Sequence, residues 1–153
     1  MAYLLAFLIG VVAGLRTMIA PAAVSWASYL GRLHLSGTWL AFLGHRWTPW
    51  ILSLLAVGEL VVDQLPSTPS RTAPMGFGGR IVTGALSGAA VGTAGGTMLA
   101  GAIAGIAGAV LGTLGGHSFR GRLAAAFRND HPAAFIEDAI AIVGAVAIFM
   151  ALQ

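Results

Sequence analysis

A chain of 153 residues that is 58% apolar and only 8% charged, with a mean hydropathy of +0.88, lies far from the roughly 25% charged composition of soluble domains and predicts an all-α integral membrane protein, a single transmembrane domain over residues 1–153. The eight basic residues are all arginine and cysteine is absent, which excludes disulfides and thiolate metal sites. A formal charge of +3 is too small an excess to argue for a nucleic-acid partner.

The first predicted segment, Tyr3 to Leu30, is interrupted at "GLRTMIAP". No basic run precedes its opening apolar stretch, so the segment is expected to belong to the mature protein rather than to a secretory signal. Arg16, Thr17 and Pro21 predict a broken helix from Arg16 to Pro21, because proline lacks the N–H that would bond one turn back. Non-helical backbone at membrane depth is tolerated where protein or water covers it. A second segment, Trp47 to Leu65, carries Glu59 and Asp63 one turn apart on one face and ends at "PSTPSRTAP", where the prolines cannot continue a helix. This loop holds Ser70 and Arg71 and could form a nest for phosphate.

From Arg80 to Leu114 the apolar stretch is too long for one span of a core about 30 Å thick. Gly95 and Gly96 offer a break, giving a helical hairpin. Gly84, Gly88, Gly92 and Gly96 recur every four residues, and Gly101, Gly105, Gly108 and Gly112 continue the pattern. Smooth faces of this kind let helices approach closely in lipid, and having two of them predicts a homo-oligomer. The loop "GGHSFRGRLAAAFRNDHP" follows, readable as a linker or as a basic surface helix with Leu123 and Phe127 toward lipid. A last segment, Ala133 to Leu152, opens through Asp130 and Pro132 and carries Glu137 and Asp138. About five membrane segments result.

Arginine placement sets the expected orientation. A cytoplasmic N-terminus puts Arg71, Arg80, Arg120, Arg122 and Arg128 inside and only Arg32 and Arg46 outside, which the positive-inside rule favours. Trp26, Trp39, Trp47 and Trp50 then gather at the outer interface.

Ionisable groups within a membrane are costly and therefore pair or line water. Arg16 is expected to meet Glu59 or Glu137, with Asp63, Arg71 and Arg80 nearby and Asp138 the most interfacial of the acids. A broken helix beside such a cluster is the geometry of transporter binding sites. The expected function is a small transporter or channel for an ion or small solute, moved past Arg16, Thr17, Pro21, Glu59, Asp63, Ser70, Arg71, Arg80, Glu137 and Asp138. Proton or cation coupling would go through the carboxylates. The rivals are a membrane enzyme acting on a phosphorylated lipid, with Glu59 and Asp63 on a divalent metal and Arg71 or Arg80 on phosphate, and a non-catalytic scaffold held by its glycine faces. The four histidines lie in loops without metal-ligand spacing, and neither a metal nor a cofactor is expected.

At "GLRTMIAPAAVSWA", "WTPWILSLLAVGELVVDQLPSTPSRTAP" and "GGRIVTGALSGAAVG" the chain resembles a family of small bacterial membrane proteins catalogued as domain of unknown function 4126. The resemblance covers nearly the whole chain. It implies a polytopic inner-membrane protein in the lipid bilayer and brings no substrate, cofactor or catalytic residue.

Overall fold

The computed structural model describes residues 1–65 and 73–152. Ser70, Arg71 and the candidate phosphate nest around them lie outside the described residues. Six α-helices are present among those described: α1 Ala2–Leu15, α2 Ile19–Tyr29, α3 Thr48–Val62, α4 Pro74–Thr93, α5 Met98–Phe127 and α6 Asp130–Ala151, with a short 3-10 helix at Trp39–Gly44 between α2 and α3. No strand occurs among them. Two helices, α5 and α6, are long and apolar enough to cross a membrane.

Contacts between sequence-distant residues show where the helix ends lie. The Tyr3 hydroxyl bonds the Gly95 carbonyl at 2.8 Å and Thr97 Oγ1 at 2.9 Å, which sets the start of α1 beside the α4–α5 turn. Arg32 donates to the carbonyls of Phe149 and Leu152 at the end of α6, and Trp39 Nε1 reaches Met98 Sδ at 3.1 Å. Both ends of the chain, the loop after α2 and the α4–α5 turn therefore share one end of the molecule, which we call the tryptophan end. The opposite end holds Arg16, Glu59, Asp63, Asp130, Glu137 and Asp138, and so all five carboxylates of the chain. We call it the acidic end.

Successive helices thus run alternately between the two ends. The first segment is not one interrupted crossing: α1 reaches the acidic end, Arg16 takes an extended backbone (φ −140°, ψ 118°), and α2 returns. This reversal puts both termini at one end, whereas the sequence reading put them at opposite ends. Pro21 is not what interrupts the helix. It sits in the first turn of α2, where its missing N–H is one of those a helix start leaves unpaired anyway.

α1, α4 and α5 pack through backbone rather than side chains. Gly101 and Gly105 of α5 face Gly84, Gly88 and Gly92 of α4, and a Cβ built on Gly88 would lie 2.7 Å from the Gly105 Cα. Gly108 and Gly112 face Phe7 and Val11 of α1 instead, and α1 answers with Gly10 and Gly14 against Gly105, Ala109 and Gly112. Both smooth faces meet helices of the same chain. Gly96 is a correction: it has φ +89° in the α4–α5 turn, and nothing lies within 4 Å of a Cβ there. It serves the turn, where glycine tolerates left-handed backbone, and not helix packing.

The stretch expected to be a loop after Leu114 is helical to Phe127, and α5 is correspondingly longer than read. Gly116 is kept in the helix by packing, since a Cβ there would crowd Leu15 Cδ2 at 2.7 Å and Glu137 Oε1 at 3.0 Å. Arg120 and Arg122 ride on its last turns. Asn129 then caps α6 by accepting from the His131 N–H at 3.1 Å, with Asp130 in the first turn favoured by the helix dipole.

Alanines fill much of the interior beside a few large side chains such as Ile9, Leu40 and Leu43, and many large apolar residues face outward: Ala6, Ala13, Ala90, Ala109 and Ala141 are fully buried, whereas Leu54 and Leu99 are 73% exposed. The glycine contacts give a direct test. Gly105→Ala and Gly108→Ala should each lower stability by about 1–3 kcal/mol through overpacking, because the added methyl overlaps a carbonyl of the facing helix. Gly115→Ala and Gly121→Ala, which face open space, should be neutral or gain about 0.5–1 kcal/mol from helix propensity. Thermal unfolding in mild detergent reads the difference, and equal effects at the four positions would refute the packing.

Candidate functional site

Arg16 is wholly buried at the point where α1 ends, so its guanidinium must be satisfied by protein. Its Nε donates to Asp138 Oδ1 at 2.6 Å, and the two terminal nitrogens form ion pairs with Asp63 and Asp138. Asp63 stands at the C-terminal end of α3 and Asp138 in the third turn of α6, so one side chain joins the α1–α2 reversal to two other helices. The partners differ from those expected, Glu59 and Glu137. Asp138 is buried, with only 8% of its surface exposed.

Glu59 does something else. Its Oε1 accepts from the Thr17 N–H at 2.7 Å and its Oε2 from the Met18 N–H at 2.8 Å. No side chain of the α1–α2 turn caps α2, and the first N–H groups of a helix need an acceptor. A carboxylate from α3 meets that need from outside and lies at the positive end of the helix dipole. Thr17 enters the site through its backbone.

A second layer lies against the first. Arg120 binds Asp130 with two nitrogens, Nε at 2.8 Å, and its Nη1 is 3.9 Å from Glu137 Oε2. Glu137 is 1% exposed. Gln64 donates to Asp138 Oδ2 at 3.4 Å and meets His131 Nδ1 at 3.3 Å through its oxygen. Arg80 is buried on α4 at the same end, with its neighbour Gly79 beside Thr17. Of the expected residues, then, the fold brings together Arg16, Thr17, Glu59, Asp63, Arg80, Glu137 and Asp138. Pro21 stands one turn into α2, outside the ion-pair shell.

Gln64, Arg120, Asp130 and His131 belong to the cluster although the sequence reading gave them no part in it, with Gln64 near the end of the second segment and the other three in or at the edge of the loop before the last. A signal existed for two of them: Asp130 and Glu137 are seven residues apart and share a face of α6, and Arg120 precedes them across one turn. At the centre, one guanidinium is shared by two carboxylates. The arrangement satisfies a buried charge by tying three helices to one side chain. Among the described residues no group of three or more metal-ligating side chains occurs.

No family model matches this chain, and no curated protein or solved structure matches it.

The ion-pair geometry is testable by a mutant cycle. Removing one partner of a buried pair strands the other charge, at about 3–5 kcal/mol. Arg16→Ala should therefore destabilise the protein by roughly that amount, and adding Asp138→Asn should recover part of the loss, a coupling of about 0.5–3 kcal/mol in unfolding measurements. Strict additivity of the two changes would mean that the residues do not interact.

Proposed function

We propose that the chain is a multi-pass protein of the bacterial inner membrane that moves an ion or small solute, with Arg16, Asp63 and Asp138 as the site where transport is coupled to a proton or cation. The observation that carries this reading is a single buried guanidinium shared by two carboxylates at a helix reversal. Intramembrane charges on broken helices mark ion and substrate pathways. Arg16 holds both carboxylates, and a coupling proton or cation would compete with it for one of them.

The outer surface supports a lipid environment. Trp50, Leu54, Val61, Leu99, Ile103 and Val143 are all exposed, and small residues between helices with large ones outside is how helices pack in a bilayer. From Met98 to Gly116, which adjoins Glu137, α5 rises about 27 Å. That is close to a hydrocarbon core of about 30 Å, so the cluster would lie where the apolar layer ends. All six helices would then cross or enter the membrane, with α1 and α2 as a pair that reverses at the cluster.

Orientation follows from arginine. Arg80, Arg120, Arg122 and Arg128 are carried toward the acidic end and Arg32 and Arg46 toward the tryptophan end, so the positive-inside rule assigns the acidic end to the cytoplasm. The loops keep the sides first expected, whereas the N-terminus moves to the outside because of the extra reversal. A homo-oligomer, no longer argued by the glycine faces, would use the exposed apolar face of α3. The lipid-enzyme reading is weakened because both oxygens of Glu59 are engaged by backbone N–H groups.

Reporter fusions at residues 1 and 152 should both read outside and a fusion near Arg122 inside. Termini that read cytoplasmic would reverse the assignment. For transport, the purified protein in liposomes should show a proton- or cation-linked flux that Asp63→Asn lowers at least about tenfold while the helical content is unchanged. A folded Asp63→Asn, Asp138→Asn protein with undiminished flux would make the cluster a structural clamp only.

A further inference from the structure

The helices around the cluster leave a crevice that ion pairing does not use. α3 leans on α2 and the 3-10 helix, while α6 packs on α1, α2 and α5. Between α2, α3 and α6 lies a cavity of about 430 Å³, lined by Ala23, Trp26, Ala56, Leu60, Val146 and Phe149 among others. It falls within the size range of ligand pockets, roughly 300–1,000 Å³. Alanines leave the gap, and the exposed side chains of Val57 and Val146 border it, so it opens sideways to the surroundings of the protein. At the acidic end it is bridged by the Gln64–Asp138 contact.

Its chemistry is apolar throughout. The two polar groups in the lining satisfy each other, Trp26 Nε1 donating to Ser53 Oγ at 3.0 Å. From Ile19 to Leu30 the crevice follows α2 for about 16 Å, about half of a hydrocarbon core of roughly 30 Å. That is the depth of one leaflet. At its mouth, on the tryptophan end, the Arg32 guanidinium lies 4.6 Å from the centroid of the Phe149 ring. The hydrogen bonds of Arg32 go through Nη1 to two carbonyls, and the Asp and Glu side chains stand at the other end of the molecule. A positive charge with no Asp or Glu partner among the described residues thus sits over a slot one acyl chain deep.

We propose that this crevice is a binding site for an anionic phospholipid of the leaflet at the tryptophan end, one acyl chain lying between α2, α3 and α6 and the phosphate resting on Arg32. Charge selects the headgroup and the slot takes the chain. The site rests on the membrane reading and is independent of transport: the flux measurement can fail without touching it.

The test uses Trp26 as its own probe. In the full chain carrying Trp39→Phe, Trp47→Phe and Trp50→Phe, Trp26 is the one remaining tryptophan. The protein is placed in vesicles of phosphatidylcholine containing brominated phosphatidylglycerol or, at equal mole fraction, brominated phosphatidylcholine. Phosphatidylglycerol should quench Trp26 with an apparent affinity about fivefold higher, as one arginine near the headgroups provides. Arg32→Gln should abolish the preference, whereas Arg46→Gln, which does not line the crevice, should keep it. Ala23→Phe, which fills the slot and leaves Arg32 in place, should reduce quenching by both lipids and decides the matter should Arg32→Gln fail to fold. Equal quenching by the two lipids, absence of quenching, or a preference that survives Arg32→Gln would each overturn the site.

Discussion

The arrangement depends on how Arg16 is satisfied. A guanidinium removed from water must find acceptors in the protein, and here they come from α3 and α6. The α1–α2 reversal exposes the N–H groups of Thr17 and Met18, which also need acceptors, and Glu59 provides them from the same face of α3 as Asp63. One turn of α3 therefore meets both demands of the reversal, charge and backbone. Without that pair of acids, a sharp turn beginning with a buried arginine would be an expensive place to end a helix.

Packing sets the limits within which this can happen. α1 approaches α5 closely enough for Gly10, Gly14, Gly108 and Gly112 to touch backbone, and that contact fixes the height at which α1 ends. Thr113 Oγ1 donates to the Gly14 carbonyl at 3.2 Å, satisfying a group near the end of α1 just below Arg16. Glycine in a helix interior costs roughly 1 kcal/mol relative to alanine, and close backbone approach in an apolar environment is what offsets it. The glycines are thus part of how the site is positioned, although none belongs to it.

Much of this was legible in the sequence, and what was not has physical reasons. The apolar helices, the α4–α5 hairpin turning at Gly95 and Gly96, and the gathering of Glu59, Asp63, Glu137 and Asp138 near Arg16 could be read from periodicity and from the cost of unpaired charge. Which acid meets Arg16 could not. Glu59 and Asp63 share a helix face, so only the position of the α1–α2 turn relative to α3 decides which one reaches the guanidinium and which the backbone. The break was read within one segment, from Arg16 to Pro21, because Pro21 drew attention away from Arg16, whose extended backbone makes the turn. The glycine stripes were read as packing faces, and two of them as pointing to a homo-oligomer, because a one-dimensional pattern does not say which neighbour a face meets. Gly10 and Gly14, four residues apart on α1, were the overlooked sign that this neighbour is internal.

The same contacts make α3 the helix whose attachment depends on charge. Its outward face is apolar and exposed, and only Pro49 and Ala56 among its residues are buried, so side-chain packing holds it weakly. Near the tryptophan end it is held by Trp26 against Ser53 and by the edge-to-face Trp26–Trp50 contact, 5.0 Å between centroids. At the acidic end it is held by Glu59 and Asp63. The two acids meet different groups, Asp63 the guanidinium and Glu59 the backbone of the reversal, so the acidic end of α3 does not hang on the ion pair alone. A helix held by aromatic contact at one end and by two carboxylates at the other is anchored at its ends rather than along its length. The crevice beside α6 lies between those two anchors, where α3 contributes Ser53, Ala56, Val57 and Leu60 to its wall.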